Sequence, residues 1–146
     1  MTSILLVEDQ PTLRQLVSEV LEYSGYQVTA VGDGRDALEI LQTGEYFPNV
    51  ILSDMLMDRV GGDALLKAVR AEWMLREIPF VLMSGKEQIS AMEPELRREV
   101  DGFLEKPFGI ADILTTVQKA LTIHRHQSND QRDQHDQQQG GSERPA

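Results

Sequence analysis

Two short apolar segments of this sequence end in carboxylates. The segment Val50–Asp54 contains β-branched residues and finishes in Asp54, and the segment Ile4–Val7 is followed by Glu8 and Asp9. Runs of this kind are typical of strands buried on both faces of a parallel sheet, and open α/β sheets bind ligands just beyond the carboxyl ends of their strands. We therefore expect the three carboxylates to meet at one edge of the sheet.

Two further residues that could take part in chemistry follow later strand-like segments. Ser84 ends the apolar run that begins at Phe80, and Lys106 follows the short segment Gly102–Leu104. Singly, Lys106 could be a surface ion-pair partner, Ser84 a turn cap and the acids a solvated loop. Because four separate strand ends supply complementary groups, we favour a common site instead.

The charge of this cluster predicts a cation. Two carboxylates about 5 Å apart repel each other by roughly 3 kcal/mol at an effective dielectric constant near 20. Ligands that are all oxygen favour Mg²⁺. The set then fits a phosphoryl acceptor, in which Asp54 is the nucleophile, Mg²⁺ and Lys106 neutralise the transferring group, and the Ser84 hydroxyl donates to a phosphate oxygen.

The composition excludes several other functions. The 146 residues carry a net charge of -10 and no cysteine, and all three histidines lie in residues 124–146. These facts argue against a nucleic-acid surface, a Ser-His-Asp or Cys-His active site, and an ordinary zinc site in the preceding residues. Without a membrane-length apolar stretch or a signal-peptide pattern, we expect a soluble, cytoplasmic protein with no membrane insertion.

Strand-like and helix-like segments alternate five times between residues 1 and 123. This alternation predicts a doubly wound α/β fold, a five-stranded parallel sheet of the flavodoxin-like order 2-1-3-4-5 with helices on both faces. Residues 124–146 lack large apolar side chains, and we expect a polar, disordered tail there.

Two of the predicted helices rest on weaker patterns. The apolar face of the third helix is expected to include Trp73. The fourth helix is expected to begin near Ser90, which has capping-box spacing to Glu93, to hold Pro94 in its first turn, and to run to about Val100.

Residues 1–123 resemble the receiver domain of bacterial two-component response regulators, in particular stand-alone receivers similar to chemotaxis regulators. The resemblance rests on the acidic pair Glu8-Asp9, the acceptor Asp54, the hydroxyl residue Ser84 and the Lys106-Pro107 step. It implies a (βα)5 signalling domain rather than an enzyme. It also implies Mg²⁺-dependent transfer of a phosphoryl group to Asp54 from a sensor histidine kinase or a histidine phosphotransfer protein, followed by slow hydrolysis.

The resemblance also implies roles for individual residues. Asp9 and Asp54 would bind the metal directly, Glu8 through water, and Leu56 through its backbone carbonyl, and the Lys106–Pro107 peptide bond would be cis.

A switch is implied as well. Phosphorylation would draw the Ser84 hydroxyl inward and let Phe103 rotate into the vacated space. The surface of helix 4, strand 5 and helix 5 would then change and either control a downstream protein, whose identity the sequence does not give, or pass the phosphate on in a phosphorelay. Direct binding of nucleic acid is not expected, and a phosphorylation-dependent dimer stays open.

Several positions depart from the common family pattern. Met57-Asp58 and Gly61-Gly62 stand where the family often has Met-Pro and Asp-Gly, and the lost proline and added glycine should loosen this loop. Asp58 adds negative charge that could strengthen metal binding or slow an anionic donor. Leu56 and Lys86 are expected to flank the phosphate, and an apolar Leu56 should shield the acyl phosphate and give it a lifetime of minutes or longer.

Two alternatives remain at this level. One is an acid-cluster Mg²⁺-dependent phosphatase resembling haloacid-dehalogenase hydrolases, although Leu56 stands where those enzymes carry a second aspartate. The other is an interaction module that no longer accepts phosphate. We expect no output domain after residue 123, so that the chain either acts alone or is part of a longer regulator.

Overall fold

The sheet has the predicted order. A computed structural model of the chain describes residues 1–122, so the expected boundary at residue 123 and the expected disordered tail lie outside the described residues. All strand pairings are parallel, and the order is β2-β1-β3-β4-β5. The strands are β1 (Ser3–Val7), β2 (Gln27–Val31), β3 (Val50–Asp54), β4 (Phe80–Ser84) and β5 (Gly102–Glu105).

Helices follow the strands and cover both faces of the sheet. Pro11 starts the first helix, where its missing N–H is not needed, and Gly25 follows its end with a φ of 98°, which glycine adopts without strain. The helices are α1 (Pro11–Tyr23), α2 (Gly34–Leu41), α3 (Gly62–Ala71), α4 (Lys86–Ala91), α5 (Pro94–Arg97) and α6 (residues 110–122).

Alternation along the strands divides the buried side chains into two cores. One face of the sheet packs mainly against α2 and α3, and the other packs against α1 and α6. Because β1, β3 and β4 contribute to both cores, they read as continuous apolar runs. The first core includes Leu5, Ile51, Leu82, Leu65 and Val69, and the second includes Ile4, Leu52, Met83, Val17 and Val117.

The prediction for the fourth helix is wrong at its start. Helix α4 begins at Lys86, after Gly85, and not near Ser90. The carboxamide of Gln88 accepts a hydrogen bond from the backbone N–H of Gly85 at 3.0 Å and thereby closes the first turn at this earlier point. Helix α4 ends at Ala91, and the next residue, Met92, has a buried side chain. Pro94 then starts the separate short helix α5.

Trp73 does not belong to the apolar face of α3. The helix ends at Ala71, and the Trp73 side chain is 71% exposed. Leu75, two residues later, fills the core instead. The apolar spacing in the sequence therefore extends beyond the end of the helix.

Arg70 ties the amino-terminal end of β4 to the segment before β5. Its guanidinium donates to the carbonyl oxygens of Ile78 at 2.7 Å and Glu99 at 2.8 Å and to the carboxylate of Asp101 at 2.9 Å. Asp101 also accepts from the backbone N–H of Phe80 at 2.8 Å. Burial lowers the pKa of Arg70, while Asp101 opposes this effect. Removing the guanidinium would take a charged donor away from Asp101 and from the carbonyl oxygens of Ile78 and Glu99.

We predict that Arg70→Met lowers the free energy of unfolding by about 3 kcal/mol, because it removes a largely buried, charged donor from the Asp101 carboxylate and from two backbone carbonyl groups. The measurement is urea denaturation followed by circular dichroism. Arg35→Met is the matched control, since Arg35 pairs with Glu39 at 3.8 Å on an exposed surface and should contribute less than about 1 kcal/mol. Equal losses in the two variants would refute this role for Arg70.

Candidate phosphoryl-acceptor site

Strand order brings the three predicted carboxylates together. Because β1 pairs with β3, with Val7 opposite Ser53, the residues that follow Val7 lie beside Asp54. One carboxylate oxygen each from Glu8, Asp9 and Asp54 lies within 4.8 Å of the others. The predicted convergence is confirmed.

Lys106 reaches this cluster from β5, two strands away from β3. Its Nζ atom lies 3.1 Å from Oδ1 of Asp54, and the Asp54 side chain is almost fully buried. The Lys106–Pro107 peptide bond is cis, as the resemblance implied. The backbone N–H of Lys106 also donates to the carbonyl oxygen of Ser84 at 2.9 Å, which fixes the start of this loop against β4.

Glu8 is the most deeply buried member of the cluster, with 1% of its surface exposed. Burial raises the pKa of Glu8 to about 7, and the charge of Asp54 adds to the rise, while a hydrogen bond from the backbone N–H of Gln10 opposes it. The other Glu8 oxygen, Oε1, has no hydrogen-bond partner among the described residues. A buried carboxylate oxygen without a partner, beside two more carboxylates, fits a hard divalent cation such as Mg²⁺ or its bound water.

The loop after Asp54 is held by contacts that the sequence did not reveal. Arg59, with a φ of 64°, donates to the carboxylate of Asp33 through its Nε at 2.9 Å, and Asp33 caps the start of α2. The pKa of Asp33 is lowered, first by the hydrogen bond from the backbone of Asp36 and then by Arg59. A backbone hydrogen bond of 3.2 Å also joins Gly34 to Val60. These contacts oppose the loosening that the lost proline predicts.

The remaining candidate residues surround the cluster at different depths. Ser84 is fully buried at the end of β4, and its hydroxyl lies 2.7 Å from Oε1 of Gln88, a residue that sequence reasoning missed. Phe103 is half-buried and packs against the core on the α3 side. The Leu56 side chain is 59% exposed, and Asp58 and Lys86 are exposed as well.

The family model of the response regulator receiver domain matches residues 4–118. The chain belongs to this family. It is 34% identical over 120 residues to the two-component response regulator ORR5 of Oryza sativa subsp. japonica, a match that covers 81% of this chain and 87% of that protein. Among solved structures, the chemotaxis response regulator CheY4 of Vibrio cholerae is 32% identical, with a TM-score of 0.70 over 82% of this chain and 98% of that one.

Other relatives are much longer than this receiver domain. The chain is 31% identical over 124 residues to the C4-dicarboxylate transport transcriptional regulatory protein DctD of Pseudomonas aeruginosa, covering 85% of this chain and 26% of that protein. It is 27% identical over 122 residues to the hybrid signal transduction histidine kinase D of Dictyostelium discoideum, covering 84% of this chain but 8% of that protein. The receiver is thus a signalling domain of two-component systems that occurs in proteins of different length.

Membership in the receiver family leaves the phosphatase alternative without support.

Within residues 1–122, no helix is both long enough and apolar enough to cross a bilayer.

We predict that the metal-free protein loses stability as the pH rises toward the pKa of Glu8, about 7. Glu8 is protonated more readily in the folded than in the unfolded chain, so its contribution is complete below the unfolded pKa and is lost as the pH passes the folded one. Between about pH 6 and about pH 8 the loss should be about 1 kcal/mol. Urea denaturation with and without Mg²⁺ measures it, and Mg²⁺ should stabilise more at the higher pH.

Glu8→Gln is the matched control for this pH effect. Groups outside this cluster are the same in both proteins, so the difference between wild type and variant reports Glu8 together with the charges that interact with it. A difference that does not change with pH would show that Glu8 is not the titrating group.

Proposed function

We propose that this receiver domain accepts a phosphoryl group on Asp54, with Mg²⁺, from the phosphohistidine of a sensor histidine kinase or a histidine phosphotransfer protein. One observation carries the proposal: the carboxylates of Glu8 and Asp9, which follow β1, converge on Asp54 at the end of β3, and the Lys106 ammonium group lies 3.1 Å from Asp54. This arrangement combines a nucleophile with the positive charge that phosphoryl transfer needs.

The residues of the site have different roles in the transfer. A carboxylate oxygen of Asp54 forms a bond to phosphorus as the bond from phosphorus to the donor imidazole breaks, and the imidazole nitrogen keeps the electron pair. Lys106 stays on Oδ1 of Asp54 and offsets the charge of the incoming oxygens. Glu8, Asp9, Asp54 and the backbone carbonyl of Leu56 would hold Mg²⁺, which when bound supplies the positive charge that lets an anionic donor approach.

We assign the response to phosphorylation to Ser84 and Phe103, at the β4 and β5 side of the site. The Ser84 hydroxyl would turn to a phosphoryl oxygen, and the half-buried Phe103 would move into the space beside it. The face formed by α4, α5, β5 and α6 would then present a different surface to a downstream protein or take part in a phosphorelay. A cytoplasmic location follows from a phosphohistidine donor inside the cell, and dimerisation on phosphorylation stays open.

The test is incubation with Mg²⁺ and acetyl phosphate, followed by intact-mass measurement. Wild type should gain one phosphoryl group, and Asp54→Asn should gain none because the nucleophile is gone. Asp58→Asn is the control, since it makes the same change at an exposed acid of the following loop, and it should still be labelled. If Asp54→Asn is labelled to the same extent as wild type, the proposed acceptor is wrong.

We predict that the phosphorylated form lasts for minutes or longer and that Leu56→Asn shortens its lifetime. The exposed, apolar Leu56 side chain follows the acceptor by two residues and limits the approach of water, whereas asparagine can position a water molecule by hydrogen bonding. Loss of radioactive label after removal of the donor measures the rate.

Phe47→Asn is the control for the lifetime measurement. It removes an exposed apolar side chain before the opposite end of β3 and should leave the rate unchanged. Equal rates in wild type and Leu56→Asn would refute the shielding role.

A further inference from the structure

The shortest hydrogen bond of the Ser84 hydroxyl in this structure is made to the side chain of Gln88. The Oγ atom of Ser84 lies 2.7 Å from Oε1 of Gln88, and the same Oε1 atom lies 3.0 Å from the backbone nitrogen of Gly85. Ser84 is fully buried, so bulk water does not compete for the hydroxyl. The carboxamide of Gln88 thus accepts from two donors at the junction of β4 and α4.

The direction of these hydrogen bonds follows from chemistry. A backbone N–H can only donate, so the Gln88 atom that faces Gly85 must be the carbonyl oxygen. That oxygen can only accept, so the Ser84 hydroxyl must donate its one hydrogen bond to Gln88. The other acceptors within reach of the Ser84 hydroxyl, the sulfur of Met55 at 3.3 Å and the carbonyl oxygen of Gly85 at 3.4 Å, are farther away.

We infer that Gln88 is a positioning residue. In the unphosphorylated domain it accepts the hydrogen bond of the Ser84 hydroxyl, keeps this hydroxyl turned toward α4 and thereby opposes phosphorylation. The inference rests on the proposed function, in which the same hydroxyl donates to a phosphoryl oxygen on Asp54. One proton cannot make both hydrogen bonds. Each phosphorylation event must therefore break the bond from Ser84 to Gln88.

The same contact couples Ser84 to the first turn of α4. Gln88 is the third residue of the helix, and its bond to Gly85 closes that turn. When Ser84 leaves, Gln88 keeps only the Gly85 N–H. The Gln88 oxygen, in the first turn of α4, therefore loses one of its two hydrogen bonds when the Ser84 hydroxyl turns to the phosphoryl group.

The experiment compares the affinity for beryllofluoride, a stable phosphoryl analogue, by calorimetry at saturating Mg²⁺. Gln88→Met keeps the length of the side chain but removes the oxygen acceptor, and it should bind the analogue about two- to tenfold more tightly, the effect of one net neutral hydrogen bond. Gln88→Glu keeps an acceptor and should bind no more tightly than wild type. Ser90→Met, on the same helix, is the control and should match wild type.

Two further measurements separate this role from a general loosening of the site. In the Ser84→Ala background, Gln88→Met should have no effect on analogue affinity, because no hydroxyl is left to release. The affinity for Mg²⁺ alone should be unchanged in Gln88→Met, since Gln88 has no hydrogen bond to the carboxylates.

The possible outcomes discriminate between the two proposals. If wild type binds the analogue and Gln88→Met binds it with the same affinity, or if the tightening persists in Ser84→Ala, Gln88 does not act through Ser84 and only this inference fails. If Gln88→Glu tightens binding as much as Gln88→Met, the acceptor oxygen is irrelevant and the inference is equally overturned. If wild type binds no analogue and gains no phosphoryl group, the proposed function fails and the inference falls with it.

Discussion

Repulsion among three carboxylates is the constraint on which this structure depends. Glu8, Asp9 and Asp54 place oxygens within 4.8 Å of one another, and each pair of charges at about 5 Å costs roughly 3 kcal/mol at an effective dielectric constant near 20. Lys106 supplies one positive charge against them. The acids nevertheless stay together, because β1 and β3 are adjacent and two apolar cores fix the sheet. The fold thus imposes an electrostatic cost that a divalent cation can relieve.

Much of this arrangement could be predicted from the sequence because it follows from strand ends. Apolar runs that stop at Asp54 and Ser84 define strands, and parallel order brings their ends to one edge of the sheet. The convergence of acids and Lys106 needs no knowledge of loop geometry. Burial of Glu8 could not be seen in the same way, because its place in the sequence beside the exposed Asp9 gives no sign of which carboxylate turns inward.

The features that sequence reasoning missed depend on contacts between loops or on short helix starts. Arg59 and Asp33 are far apart in sequence, and their pairing needs the folded approach of two loops. Gln88 was missed because the spacing of Ser90 and Glu93 resembles a capping box, whereas Gly85 carries no side chain to signal a helix start. Trp73 was misplaced because helical spacing continues past the residue where the helix ends.

The shortness of α4 has a thermodynamic consequence. Neither α4 nor α5 contributes a buried side chain, whereas α3 buries Leu65, Leu66 and Val69. Little apolar surface therefore anchors α4, and its local opening free energy must be far below that of the sheet. A few hydrogen bonds then make up most of what keeps this helix folded against the domain. Small ligands or single contacts can alter its population without either core being disturbed.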